Sequence, residues 1–251
     1  MNRKEEWRTI YMKKIYAGDM TRLEFAERIK EAKCVIVTAG SCEQHGYHMA
    51  LDTDNVLGHH MAMEAAKRCD AIVMPNINYG QVWSARKFPG SISLSNDTLK
   101  AVLKEIILSL ESFGAKNILL LAGHNGNGQA MKDVARELVN THDLHNVWYY
   151  TQTFSKELKG VLESPIPCNC VHAGEMETSM MLCVRPDLVD LSKAEKDFPE
   201  LPAAAKYRPI SWDEYIIVGS YGDPSLATEE KGKLFLDAII DEVVHLINDI
   251  M

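Results

Sequence analysis

Apolar residues in this chain fall into short unbroken runs, separated by longer stretches in which they recur at helical spacing. The run Cys34-Val35-Ile36-Val37-Thr38-Ala39-Gly40 is continuously apolar and β-branched, as a strand covered on both faces must be. Ala71-Ile72-Val73-Met74 before Pro75, Asn117 to Leu121 ahead of Gly123, and Val147-Trp148-Tyr149-Tyr150 read as three more strands. Helical segments lie between them. Thr21 followed by Glu24 forms a capping box that opens a helix running to Ala32. Further helices are predicted within Asn55 to Lys67, over Asp97 to Phe113 closed by Gly114, and from Asn127 to about Val139. A helix from about Ala173 to Cys183 is stopped by Pro186, a less regular stretch reaches Tyr215, and an amphipathic helix runs from Thr228 to the end. Strands alternating with helices imply βαβ units with right-handed crossovers. The expectation is an α/β layered fold, with a mostly parallel sheet and helices on both faces, in one domain spanning residues 1–251.

Composition narrows the partners. The 251 residues are 46% hydrophobic and 25% charged, as in ordinary globular enzymes, and no segment is low in complexity. A formal charge of -8 without a long basic run argues against nucleic acid or an anionic membrane and for a small-molecule substrate. Met1 to Lys14 is mixed in charge and lacks an apolar core, so it reads as neither signal peptide nor membrane span, and the cytoplasm is the expected location. The cysteines at 34, 42, 69, 168, 170 and 183 are scattered and are read as reduced thiols; the one-residue spacing of Cys168 and Cys170 is not a usual zinc pattern.

In open parallel sheets the loops beyond the carboxyl ends of the strands form the ligand crevice. Here those positions are rich in metal-binding side chains. Glu43, His45 and His48 follow the first strand, with Asp52 and Asp54 shortly after; His124 follows the third; His172, Glu175 and Glu177 lie beyond the fourth. Imidazole and carboxylate groups converging in one cleft suit zinc, manganese or ferrous iron. Glu43 and His45 are two apart, so in an extended stretch both project to one side, where each can meet one of two adjacent ions. Asp54 is the candidate bridge between two such ions.

Glu-Gln-His-Gly-x-His followed by Thr-Asp, then Gly-His-x-Gly-Asn, then His-Ala-Gly-Glu-x-Glu-Thr-Ser resembles the creatininase family. The resemblance runs from about Ile36 to Lys231 and includes Phe88 to Leu94 and the closing Ala227-Thr228-x-x-Lys231-Gly232. It implies an α/β fold, two divalent ions, hydrolysis of amide-like C–N bonds in small and often cyclic substrates, and frequently a hexamer. By motif it places Glu43, His45, Asp54 and His124 on metal-ligand positions. The family's namesake has Gly-His-x-Glu where this chain has Gly126, so another carboxylate must complete the second ion's ligands. Glu175 is expected in that role. Glu177 is second in line for it and is otherwise grouped with His172 as catalytic, since it lies roughly 200° further around a helix. His172 suits a general acid that protonates a leaving nitrogen.

Other residues keep two readings. Trp83, Arg86 and Phe88 either grip a planar substrate or pack their loop on itself. His48 and Asp52 serve as hydrogen-bond supports beyond the ligands. Two further functions share the centre: cleavage of a carbon–carbon bond in a cyclic diketone sugar such as a dehydro-inosose, and a non-enzymatic binding protein with a structural metal. An open coordination position distinguishes catalysis from structure.

Overall fold

The computed structural model describes residues 14–152, 160–165 and 172–251. The four predicted strands form, as β1 Cys34–Ala39, β2 Ala71–Val73, β3 Ile118–Ala122 and β4 Val147–Tyr150, in one parallel sheet of order β2-β1-β3-β4. Alternation along the strands explains why they read as continuous apolar runs. Cys34 and Ile36 of β1 and Leu119 and Leu121 of β3 face one core, whereas Val35, Val37, Ile118 and Leu120 face a second on the other side. Each fully buried Leu or Ile contributes about 1.5–3 kcal/mol, so two covered faces hold the sheet firmly.

The helices that cover it are α1 Arg22–Glu31, α2 Thr53–Arg68, α3 Asn96–Ser112, α4 Gly128–His142, α5 Glu175–Val184 and α6 Glu229–His245. Leu57 and Met61 of α2, Met180 of α5 and Phe235 and Ile239 of α6 fill the first core. Ile29 of α1, Leu99 and Leu103 of α3 and Val134 and Leu138 of α4 fill the second. Local chemistry sets the helix ends. Thr21 accepts from the Glu24 backbone while Glu24 reaches back to Thr21, completing the predicted capping box. Gly114 takes a left-handed φ of 91° after α3, as the closing glycine requires. The stretch from Pro186 to Leu226 is a series of short 3-10 turns, and α6 gives way to a π-turn over Leu246–Ile250.

The strand order locates the crevice. The chain runs from β1 outward to β2, then returns to place β3 on the other side of β1, so the connections diverge between the carboxyl ends of β1 and β3. Among the described residues no helix is long and apolar enough to cross a membrane. Met1 to Lys13, Cys168 and Cys170 lie outside the described residues.

Candidate metal centre

Three elements deliver most of the side chains at that crevice, and the first turn of α5 adds Glu177. The loop after β1 carries Glu43 and His45, the first turn of α2 carries Asp54, and His124 directly follows Gly123 at the end of β3. All but His124 are buried, and His124 is mostly so. Ligand-capable atoms of Glu43, Asp54 and His124 lie within 4.8 Å of one another, and so do those of His45, Asp54 and Glu177. Asp54 is common to these two groups, and a third brings Glu43, His45 and His172 equally close. Its Oδ1 is 3.4 Å from His45 Nε2, whereas its Oδ2 is 3.2 Å from His124 Nδ1, so the two oxygens face different histidines.

Backbone carbonyls set the imidazole tautomers. His45 Nδ1 donates to the Glu43 carbonyl at 3.0 Å, which leaves the Nε2 lone pair directed at Asp54. His124 Nε2 donates to the Gln81 carbonyl at 2.9 Å, which leaves Nδ1 facing Glu43 and Asp54. Orientation of the distal nitrogen by a carbonyl is how metal-ligating histidines are prepared. Ser41 Oγ donates to Asp54 Oδ2 at 2.5 Å and steadies that carboxylate.

The cluster has buried polar atoms that the protein does not satisfy. Glu43 Oε2 and His45 Nε2 have no hydrogen-bond partner, although buried polar atoms normally have one. Burial pushes the Glu43 carboxyl up to about 7, and burial likewise raises Glu177. Burial works against the charge on Asp54, yet His45 and His124 hold its carboxyl well below the usual carboxylate range. Burial also opposes protonation of the imidazoles, but Asp54 drives His45 up to about 10, while Glu43 and Asp54 drive His124 up to about 9. The three carboxylates call for positive charge. Divalent cations supply it without protons, since imidazole must be neutral to ligate. Donor set, lone-pair directions and unsatisfied atoms all fit such ions.

Glu175 does not meet this cluster. Its carboxylate points to the other side of the α5 start, where it accepts from the backbone N–H of Glu163 and of Ser164, from Ser164 Oγ at 2.8 Å and from Lys231 Nζ at 2.5 Å. The expectation that it faces His45 and Asp54 is therefore corrected: Glu177 occupies that place. The angular separation of the two glutamates holds, but the rotational phase of the helix is the reverse of the one assumed. Ala173 explains the phase. It adopts a left-handed φ of 47°, unusual for a residue with a Cβ, and its N–H donates to Glu177 Oε2 at 2.5 Å, drawing that carboxylate back over the helix start toward the crevice.

His172 stands at the rim, its ring 4.5 Å from that of His45 and 4.9 Å from Trp212. Nε2 donates to the Gln44 carbonyl at 2.8 Å, and Nδ1 lies 4.0 Å from Glu177 Oε2. Burial, then the neighbouring His45, keeps its pKa well below the usual value, so it is neutral with a free lone pair at Nδ1. A cavity of about 220 Å³ opens onto the cluster, lined beyond the ligands by Gln81, Val82, Ser84, Asn125, Gln152, Met176 and Trp212.

Other expectations resolve locally. His48 bonds through Nε2 to Thr178 Oγ1 at 2.9 Å, and Asp52 accepts from Asn55, both away from the ligand groups. Arg86 lies 4.0 Å over the Trp83 ring and donates to the Trp83 carbonyl and to Ser211, while Phe88 packs with Ile216 and Tyr221; these side chains pack within the loop and against residues 211–221. Sequence reasoning missed Ser41, Gln81, Gln152 and Trp212. Ser41 was within reach, lying two residues before Glu43; nothing in the periodicity marks Trp212.

The family model for creatininase, described as creatinine amidohydrolase, matches residues 18–247. The creatinine amidohydrolase of Pseudomonas putida is 28% identical over 254 residues, covering 94% of this chain and 97% of that one. The 3-dehydro-scyllo-inosose hydrolase of Thermotoga maritima is 27% identical over 267 residues, covering 94% and 84%. A solved Mn form of creatininase is 28% identical with a TM-score of 0.82, covering 94% of this chain and 98% of that one.

Proposed function

The chain belongs to the creatininase family, and from that premise we propose that it hydrolyses an amide-like C–N bond, in a cyclic amide or formamide, at a centre of two divalent ions. Glu43, Asp54 and His124 would hold one ion, and His45, Asp54 and Glu177 the other, with Asp54 shared. The observation that carries this reading is the division of the Asp54 oxygens between two histidines whose lone pairs carbonyl groups have already oriented. When bound, the ions supply Lewis acidity and make water nucleophilic near neutral pH. The cavity seats the substrate against Trp212 and presents neutral amide and hydroxyl groups to it. Glu177, a ligand of the second ion in this reading, also lies 4.0 Å through Oε2 from His172 Nδ1. His172 takes at Nδ1 the proton that the attacking water gives up and delivers it to the departing nitrogen, while Nε2 stays anchored on the Gln44 carbonyl.

Donor chemistry admits zinc, manganese or iron, and the similar creatininases include both a Mn form and a Zn-Zn form. We infer assembly as a homohexamer from the family resemblance, and the cytoplasm as the location from the mixed charge of Met1 to Lys14. A second reading is C–C hydrolysis of a cyclic diketone sugar. It draws on the relative that acts on 3-dehydro-scyllo-inosose and on a lining of Gln81, Ser84, Asn125 and Gln152 that suits hydroxyl groups as well as amides. A purely structural metal is disfavoured because the cavity gives solutes access to the cluster.

The test is turnover of cyclic amides, formamides and cyclic diketones by protein loaded separately with zinc, manganese and iron. Release of a free amine supports the reading. Turnover confined to diketones transfers the assignment to the second reading, and no turnover of any class by protein holding two ions per chain overturns both.

A further inference from the structure

Three of the four ligand-bearing elements have a glycine within four residues of their ligand, and these glycines meet at Gly123. Gly40 precedes Glu43 after β1, Gly58 lies one turn beyond Asp54 in α2, and Gly123 directly precedes His124 after β3. A Cβ placed on Gly123 would lie 2.5 Å from the Asp54 carbonyl oxygen and 3.3 Å from the Cα atoms of both Gly40 and Gly58. One placed on Gly58 would lie 2.7 Å from Thr38 Cγ2 and 2.9 Å from Gly123 Cα, and one on Gly40 would collide with Asn55 Oδ1. Carbon atoms in ordinary contact sit about 3.5–4.0 Å apart, so the backbone of α2 rests here directly on the ends of β1 and β3.

Gly58 makes the point most sharply. A glycine inside a helix is about 1 kcal/mol less favourable than alanine, so its presence mid-helix needs a packing reason. The same helix uses Ala62, Ala65 and Ala66 where it is buried further along. Only at the end that carries Asp54 does it come too close for a methyl group. The neighbouring Glu43 Oε2 and His45 Nε2, buried and unpartnered, mark what that closeness serves.

We propose that Gly40, Gly58 and Gly123 are positioning residues of the metal centre: their mutual contact sets the distance across which Asp54 spans the histidines at 45 and 124. A methyl group at Gly58 lifts the start of α2 away from β3. Asp54 Oδ2 then withdraws from His124, and one carboxylate no longer serves two ions. The proposal rests on the two-ion reading above.

The experiment compares native protein and Gly58→Ala, each loaded with manganese, by ion content and by electron paramagnetic resonance, which separates an exchange-coupled pair from isolated ions. Native protein is expected to show a coupled pair. Gly58→Ala is expected to lose the coupling and to bind its second ion about 10- to 100-fold more weakly, the range for groups that orient metal ligands. If Gly58→Ala does not fold, Gly58→Ala combined with Thr38→Ser removes the clash at 2.7 Å, keeps the one with Gly123 at 2.9 Å, and is read by the same criterion. A variant that changes only thermal stability while keeping two coupled ions at native affinity overturns the proposal. A native protein with only isolated ions refutes the two-ion reading itself, and this proposal with it.

Discussion

Two carboxylates leave the same first turn of α5 and enter opposite environments. Glu175 is fully buried beside its own cation, Lys231, and takes further hydrogen bonds from Glu163 and Ser164. Glu177 joins Glu43 and Asp54 around two imidazoles, where Glu43 Oε2 and His45 Nε2 stay unpartnered and, among the described residues, the leading influences on the three carboxylates include no lysine or arginine. A buried carboxylate that carries its counter-charge within the chain is a structural fastening. One whose neighbours direct lone pairs to a common point is prepared for a cation from solution. The two sides therefore predict different losses: ions and activity on one, stability on the other.

The largest expected effect is that of Asp54→Ala. Its loss removes the shared ligand, so both ions leave and turnover falls by about a thousand-fold, the equivalent of several kcal/mol of charge stabilisation. Elemental analysis of the purified variant checks this, and two retained ions would end the bridging assignment. Glu177→Gln comes next, with one ion lost and activity down about 100-fold, whereas Glu175→Gln keeps both ions. Metal content of the pair decides, and the opposite ordering would erase the contrast between the two sides.

Lys231→Met probes the fastening. Removing one partner of a buried ion pair costs about 2 kcal/mol here, less than for a fully enclosed pair because the lysine is partly exposed. Urea unfolding measures it. Burial works to raise the Glu175 carboxyl, but Lys231, followed by the donors of Ser164 and Glu163, holds it below the usual range. A lowered folded-state pKa means stability that is present above the unfolded value and lost as pH falls through the folded one. In chelator, the gap between native and Lys231→Met protein should therefore be constant near neutrality and close in acid; a gap that widens in acid contradicts the pairing. The smallest effect is expected from Ser41→Ala, which frees Asp54 Oδ2 of one hydrogen bond and weakens metal binding about tenfold. Metal titration against a competing chelator resolves a change of that size.

The strands and helices were legible because the relevant forces are local. Short unbroken apolar runs bounded by glycine or proline fit buried strands, as the fully buried Cys34–Ala39 and Ile118–Ala122 show, and Thr21 with Glu24 announces a helix start from its own chemistry. The clustering of Glu43, His45, Asp54 and His124 was legible for a similar reason, since each lies just beyond a strand or at the start of the helix after it. Gln81 and Trp212 were not, because they reach the centre through contacts that no periodicity encodes.

By itself the sequence determined the α/β alternation, the edge of the sheet where chemistry collects and the residue types gathered there. Spacing along the chain also determined that Glu175 and Glu177 face different ways. Only the tertiary structure decided which of them faces the cluster. That depends on the rotational phase of α5, set by a left-handed Ala173 and by Lys231, which is 56 residues from Glu175 in sequence. A turn of the helix by roughly 200° leaves its local pattern unchanged while putting one glutamate in the place of the other, so the choice belongs to packing.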